Sequence, residues 1–133
     1  MNLYLDASAL VKRYVAEPGS DMLRDAMSRA DGWFMCRIGY VETIRAVSLS
    51  AGRRAAEPIR REWAAFGIVD VDHRLAEEAA ELAIQHDLRS LDALHLAAAR
   101  LLPDDELVLA TWDRRLRAAA ASDGLPMLPA TLD

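Results

Sequence analysis

This chain of 133 residues has no pair of cysteines, no long apolar run and no glycine-rich phosphate loop. A lone cysteine, Cys36, excludes an internal disulfide and points to a reducing, cytoplasmic setting. It sits in the apolar stretch "GWFMC", where a small buried hydrophobe is expected. No apolar run approaches the roughly 20 residues that span a bilayer, so no membrane is implied. Asp6 interrupts the N-terminal segment before it can build the apolar core of a secretory leader. Without a glycine-rich loop, nucleotide hydrolases of that type are disfavoured. Lysine is nearly absent too: Lys12 stands alone against fifteen arginines, in a chain of net charge −5. A protein held on nucleic acid by bulk electrostatics is basic, and this one is acidic. Arginine suits planar phosphate recognition, although genomic base composition produces the same skew.

What remains describes an ordinary globular protein, 53% hydrophobic and 28% charged. Residues 1–133 are read as one domain, since the length fits a single core. Short apolar runs alternate with longer amphipathic ones. "NLYL", "WFMCR", "IVDV" and "ELVLAT" read as strands, and "PMLP" as at most a short edge strand. Between them, "ASALVKRYVAE" and "DMLRDAMSRA" read as helices. So does "GYVETIRAVSLSAG", with Tyr40, Ile44, Val47 and Ala51 on one stripe. "EPIRREWAAFG" reads as a helix from Pro58 that stops at Gly67. "SLDALHLAAARLL" reads as one capped by Ser90, with Leu91, Leu94, Ala98 and Leu101 on its apolar stripe. Strands that alternate with helices predict right-handed crossovers, hence an α/β fold with a mainly parallel sheet covered on both faces.

That architecture directs attention to the acids, because sites in open α/β sheets form at the carboxyl ends of strands. Asp6 ends the first strand, Asp113 follows "LVLAT", and Glu42 lies early in the helix after the second strand. Asp92 lies near the start of its helix, and periodicity leaves open which edge of the sheet that start reaches. Each acid also has a plain structural role available. Asp6, Asp92 and Asp113 suit helix N-termini as caps or first-turn acids, and Glu42 suits a solvated face. Asp92 shares a face with His95, which reads as a hydrogen-bonded partner or packed core residue rather than a metal ligand.

Taken together, four segments resemble the motifs of PIN-domain ribonucleases: "YLDASALVKRYV", "GYVETIRA", "LRSLDALHLAAA" and "LATWDRRL". Their order, spacing and the total length resemble the VapC-type toxins of bacterial toxin–antitoxin pairs. The resemblance implies a three-layer α/β/α sandwich in which Asp6, Glu42, Asp92 and Asp113 form an acidic quartet. Ser8 and Thr111 would hold or orient it. It also implies RNA cleavage, pairing as a homodimer, and silencing by a small cognate antitoxin. Tyr14, Val15, Trp33 and Trp63 are candidates for such partner surfaces, with core packing as their alternative.

Crowded carboxylates repel one another and call for a cation. All-oxygen donors favour Mg²⁺ or Mn²⁺. Zinc is disfavoured, because Cys36 and the three histidines His73, His86 and His95 make no paired ligand spacing. Arg114, Arg115 and Arg117, beside Asp113, are candidates for phosphate contacts, or else a solvated helix face. A phospho-accepting receiver domain would want a lysine near the C-terminus, and a haloacid-dehalogenase-type phosphatase an Asp at position 8, where Ser8 stands. The remaining alternative is a catalytically silent PIN fold that acts as a binding module.

Overall fold

The computed structural model describes residues 1–103 and 106–132. Five strands, β1 (Asn2–Leu5), β2 (Gly32–Cys36), β3 (Phe66–Val69), β4 (Leu107–Ala110) and β5 (Met127–Leu128), form one sheet. Their order is β3-β2-β1-β4-β5 and every pairing is parallel. Central β1 places Leu3 opposite Trp33 on one side and Val108 on the other. Leu3, Tyr4 and Leu5 are wholly buried, as expected of a parallel strand covered on both faces.

Seven helices are described: α1 (Ala7–Tyr14), α2 (Ser20–Arg29), α3 (Arg37–Ala51), α4 (Glu57–Glu62), α5 (His73–His86), α6 (Ser90–Leu101) and α7 (Arg114–Ser122). The period of two along the strands splits the core in two. Leu3, Leu5, Met35 and Ala110 pack against Ala9 and Leu10 of α1 and Leu23, Ala26 and Met27 of α2. Tyr4, Cys36, Val69 and Leu109 face the other way, onto α5, α6 and α7. The chain steps from β1 outward to β3, then returns past β1 to β4 and β5. Right-handed crossovers in opposite directions put their helices on opposite faces, which gives the three layers. A third, smaller cluster joins Val47 of α3 to Ala56 and Ile59. Among the described residues, no helix is long and apolar enough to cross a membrane.

Several local expectations change. Gly67 does not stop a helix; α4 ends at Glu62, a 3₁₀ turn spans Trp63–Ala65, and Gly67 pairs within β3. A Cβ there would lie 2.6 Å from the Phe34 ring, so the glycine is needed for close strand packing. Ser90 is the first residue of α6, preceded by Arg89 as cap without a side-chain bond. Of the predicted stripe on α6, Ala98 is buried and Leu94 packs on the core, but Leu91 and Leu101 are exposed; the rest of the buried side is Ala93, His95, Leu96, Ala97 and Ala99. Of the predicted partner-facing residues, Trp33 and Trp63 pack on the core beneath α1 and α2, and Tyr14 and Val15 on the α3–α4 cluster. All four are half-buried.

Candidate active site

The strand order reverses between β1 and β4, and the residues that leave these two strands meet there. Asp6 leaves β1 with extended backbone and caps α1, its Oδ1 accepting the Ala9 amide at 3.0 Å. Two hydroxyls hold the rest of the carboxylate. Ser8 Oγ donates to Oδ1 at 2.7 Å, and Thr111 Oγ1 donates to Oδ2 at 2.6 Å. Each hydroxyl also accepts an amide from the β4 exit: Trp112 N–H on Ser8 at 2.9 Å, Asp113 N–H on Thr111 at 3.1 Å. A hydroxyl has one proton to give, and both are spent on Asp6. The side chain is therefore fixed in orientation as well as position. Asp6 is only 4% exposed, and that burial raises its pKa, against the lowering effect of these hydrogen bonds.

Asp113 caps α7 through Oδ1, which accepts the Leu116 amide at 2.9 Å. Asp92 lies in the first turn of α6 and is half-buried. Its pKa is raised first by burial, then by the negative charges of Asp113 and Asp6. Charges act on Asp92 in this way only when they lie near it, so the start of α6 reaches the carboxyl edge of the sheet, the point that periodicity left open. Glu42, in the second turn of α3, is drawn to one side, its Oε1 2.7 Å from His95 Nε2. Three of the four predicted acids thus share one electrostatic neighbourhood. The fourth connects to them through His95, one turn beyond Asp92 on α6. Cap and site are not alternatives here, since Asp6 and Asp113 are both.

His95 is buried and hydrogen-bonded, and Tyr4 is its second partner, with the phenol oxygen 2.8 Å from Nδ1. Tyr4 was read only as a strand residue; its signal was a tyrosine between leucines in a central strand, where a buried hydroxyl must find a partner. Arg117 does not point outward to a substrate. It is 8% exposed and donates to the carbonyls of Thr111 at 2.9 Å, Pro129 at 2.7 Å and Ala130 at 3.3 Å. Arg114 and Arg115 are exposed on the first turn of α7. Lys12 is committed as well, to Glu17 and the Pro18 carbonyl, with its ammonium over the Trp112 ring.

Among the described residues, no three His, Cys, Asp or Glu side chains converge tightly enough to enclose an ion by themselves. The donor set is nevertheless all carboxylate, and the charges of Asp113 and Asp6 raise the proton affinity of Asp92. Such a set fits a hard cation that keeps part of its water shell, as Mg²⁺ does, and not a closed zinc site.

Comparison with known proteins identifies the family and the fold. The family model described as PIN domain matches residues 3–122. "Ribonuclease VapC45" of Mycobacterium tuberculosis is 36% identical over 98% of this chain and 97% of its own length. Among solved structures, VapC20 of Mycobacterium tuberculosis, a toxin that cleaves the sarcin–ricin loop, superposes with a TM-score of 0.77 at 18% identity, covering 88% of this chain and 94% of that one. A toxin–antitoxin complex from Klebsiella pneumoniae superposes with a TM-score of 0.66 at 18% identity, covering 84% and 86%. At such identities the two superpositions speak for the fold alone. The sequence relative and the family match go further, and by them this chain belongs to the PIN-domain family, in its VapC-type branch.

Proposed function

We propose that this protein is a Mg²⁺- or Mn²⁺-dependent endoribonuclease, the toxin of a cytoplasmic toxin–antitoxin pair. The observation that carries this reading is the convergence at the β1–β4 switch point. Asp6 is held there from both oxygens by Ser8 and Thr111, and Asp92 is pressed by the charges of Asp113 and Asp6. When bound, the cation would supply water activation for in-line attack on a phosphodiester and neutralise charge that builds on the phosphate oxygens.

The chain's own residues have separable parts in this. Asp6, locked by two hydroxyls, provides a donor that cannot rotate away. Asp92 and Asp113 bring two further carboxylates from α6 and α7, and Glu42 brings a fourth from α3. Arg114 and Arg115, exposed beside Asp113, are placed for backbone phosphates, which position an RNA without reading its sequence. Water-mediated cleavage leaves a 5′-phosphate and does not involve the ribose 2′-hydroxyl. The ribonuclease name of the relative and the toxin–antitoxin title of the structural neighbour support the activity and an antitoxin partner. The homodimer belongs to the same proposal.

The test compares wild type with Asp6→Asn, expressed in a bacterial host, by sequencing RNA 5′-monophosphate ends. Purified protein is assayed in parallel with Mg²⁺, Mn²⁺ or EDTA. New ends are expected only with the wild type, and cleavage is expected to stop on chelation. Identical ends from both proteins would favour a catalytically silent PIN fold that acts as a binding module. Undiminished cleavage in EDTA would remove the metal from the mechanism.

A further inference from the structure

A string of hydrogen bonds runs through His95, and the direction of each can be assigned from its ends. The Cys36 amide lies 3.0 Å from the Tyr4 phenol oxygen, and an amide can only donate. The phenol oxygen therefore already accepts, and its own proton needs an acceptor. Tyr4 is 0% exposed, so that acceptor has to be protein, and His95 Nδ1 at 2.8 Å is the group in reach. Burial, ahead of the nearby Cys36 thiol, raises the Tyr4 pKa well above the ordinary phenol value, so the proton stays on the oxygen. With Nδ1 accepting, the ring proton sits on Nε2, which donates to Glu42 Oε1 at 2.7 Å. The opposite tautomer would aim two protons at each other between Tyr4 and His95. It would also leave a bare nitrogen facing a carboxylate.

The string begins at the junction of β2 and α3 and ends on α3. Cys36 is the residue that caps α3, and Glu42 lies in its second turn. Between them it passes through β1, which delivers Asp6, and α6, which delivers Asp92. A purely apolar contact among these elements would fill the same space but would fix neither the rotamer of Glu42 nor its distance from Asp92. We propose that Tyr4 and His95 are positioning residues for Glu42: Tyr4 fixes His95 as the Nε2–H tautomer, and His95 then holds Glu42 of α3 against α6, one turn from Asp92. The inference rests on the proposed reading of Glu42 and Asp92 as members of the acidic set. Partners that orient ligands in this way are worth on the order of 10- to 100-fold in metal affinity or activity.

The test uses the full chain, labelled with ¹⁵N and free of metal, at neutral pH. The His95 ring signals are assigned by their loss in His95→Gln. A protonated Nε2 and an unprotonated Nδ1 are expected in the wild type. Tyr4→Phe keeps the ring and removes the phenol; a mixture of tautomers is expected, with Mn²⁺ binding by calorimetry weaker by on the order of 10- to 100-fold. His95→Gln can still donate to Glu42, so it is expected to bind Mn²⁺ more tightly than His95→Leu, which cannot. A wild-type proton on Nδ1 overturns the proposal. So does a folded Tyr4→Phe with unchanged tautomer and affinity, or equal binding by the Gln and Leu variants. If Tyr4→Phe does not fold, the wild-type tautomer and the Gln–Leu comparison decide. A wild type that binds no Mn²⁺ refutes the metal-dependent function instead, and the tautomers of wild type and Tyr4→Phe then judge the string by themselves.

Discussion

Arg117 separates two roles that an arginine beside the proposed site can have, and Arg117→Met is the substitution that does so. Methionine keeps most of the buried stem and removes the guanidinium. Three carbonyls lose their donor: Thr111, Pro129 and Ala130. Ala130 is exposed and can turn to water, but Thr111 and Pro129 are buried. Two orphaned buried acceptors at ~1–3 kcal/mol each give a loss of about 2–6 kcal/mol. That is a large share of the ~5–15 kcal/mol that holds a domain together. At about 3–5 °C per kcal/mol for a chain of this size, the melting temperature should fall by roughly 6–30 °C. Arg115→Ala, on an exposed position of the same helix, should stay within about 0.5 kcal/mol of wild type. Thermal and urea denaturation of the two variants, with RNA binding measured alongside, distinguish the roles. An Arg117→Met protein that melts like wild type but no longer binds RNA would refute the structural assignment and restore Arg117 to the substrate.

Asp92→Asn should leave the metal-free protein as stable as wild type, or more so, at neutral pH. The raised folded pKa of Asp92 means that the folded state holds its proton to higher pH than the unfolded chain. Its penalty is therefore fully present above that pKa and relieved as pH falls through it toward the ordinary value of ~3.9. Melting curves of the two proteins in EDTA should accordingly converge on acidification; a variant that melts clearly lower at neutral pH would reduce Asp92 to a helix-dipole acid, worth ~0.3–1 kcal/mol. Mg²⁺ or Mn²⁺ at ten times its dissociation constant should stabilise wild type by ~1.4 kcal/mol. Thermal shift should detect this in wild type and find it much reduced in Asp92→Asn. Cys36 is 0% exposed and burial raises its thiol pKa, so a thiol reagent should modify it only in denaturant.

The sequence by itself determined the strand–helix alternation and the edge of the sheet where chemistry belongs. Strands β1 and β4 announce themselves as apolar runs that end in an acid. Asp6 and Asp113 were legible because one residue meets two local needs, capping a helix and ending a strand at the carboxyl edge. Everything that depended on a distant partner needed the tertiary structure. Leu91 and Leu101 were read as buried on α6, because side-chain size dominates a hydropathy pattern. Packing in the core takes Ala93, Leu96 and Ala97 instead, and only the neighbouring elements impose that. Gly67 looked like a helix terminator until the Phe34 ring of β2 was seen to occupy the space of its missing side chain. The carbonyls that claim Arg117 come partly from Pro129 and Ala130, brought alongside by the short strand β5. Tyr4, His95 and Glu42 lie far apart in sequence on three elements, and no local period relates them. A buried hydroxyl and an imidazole must find partners, and only the folded chain shows that the partner at the end of the string is one of the four acids.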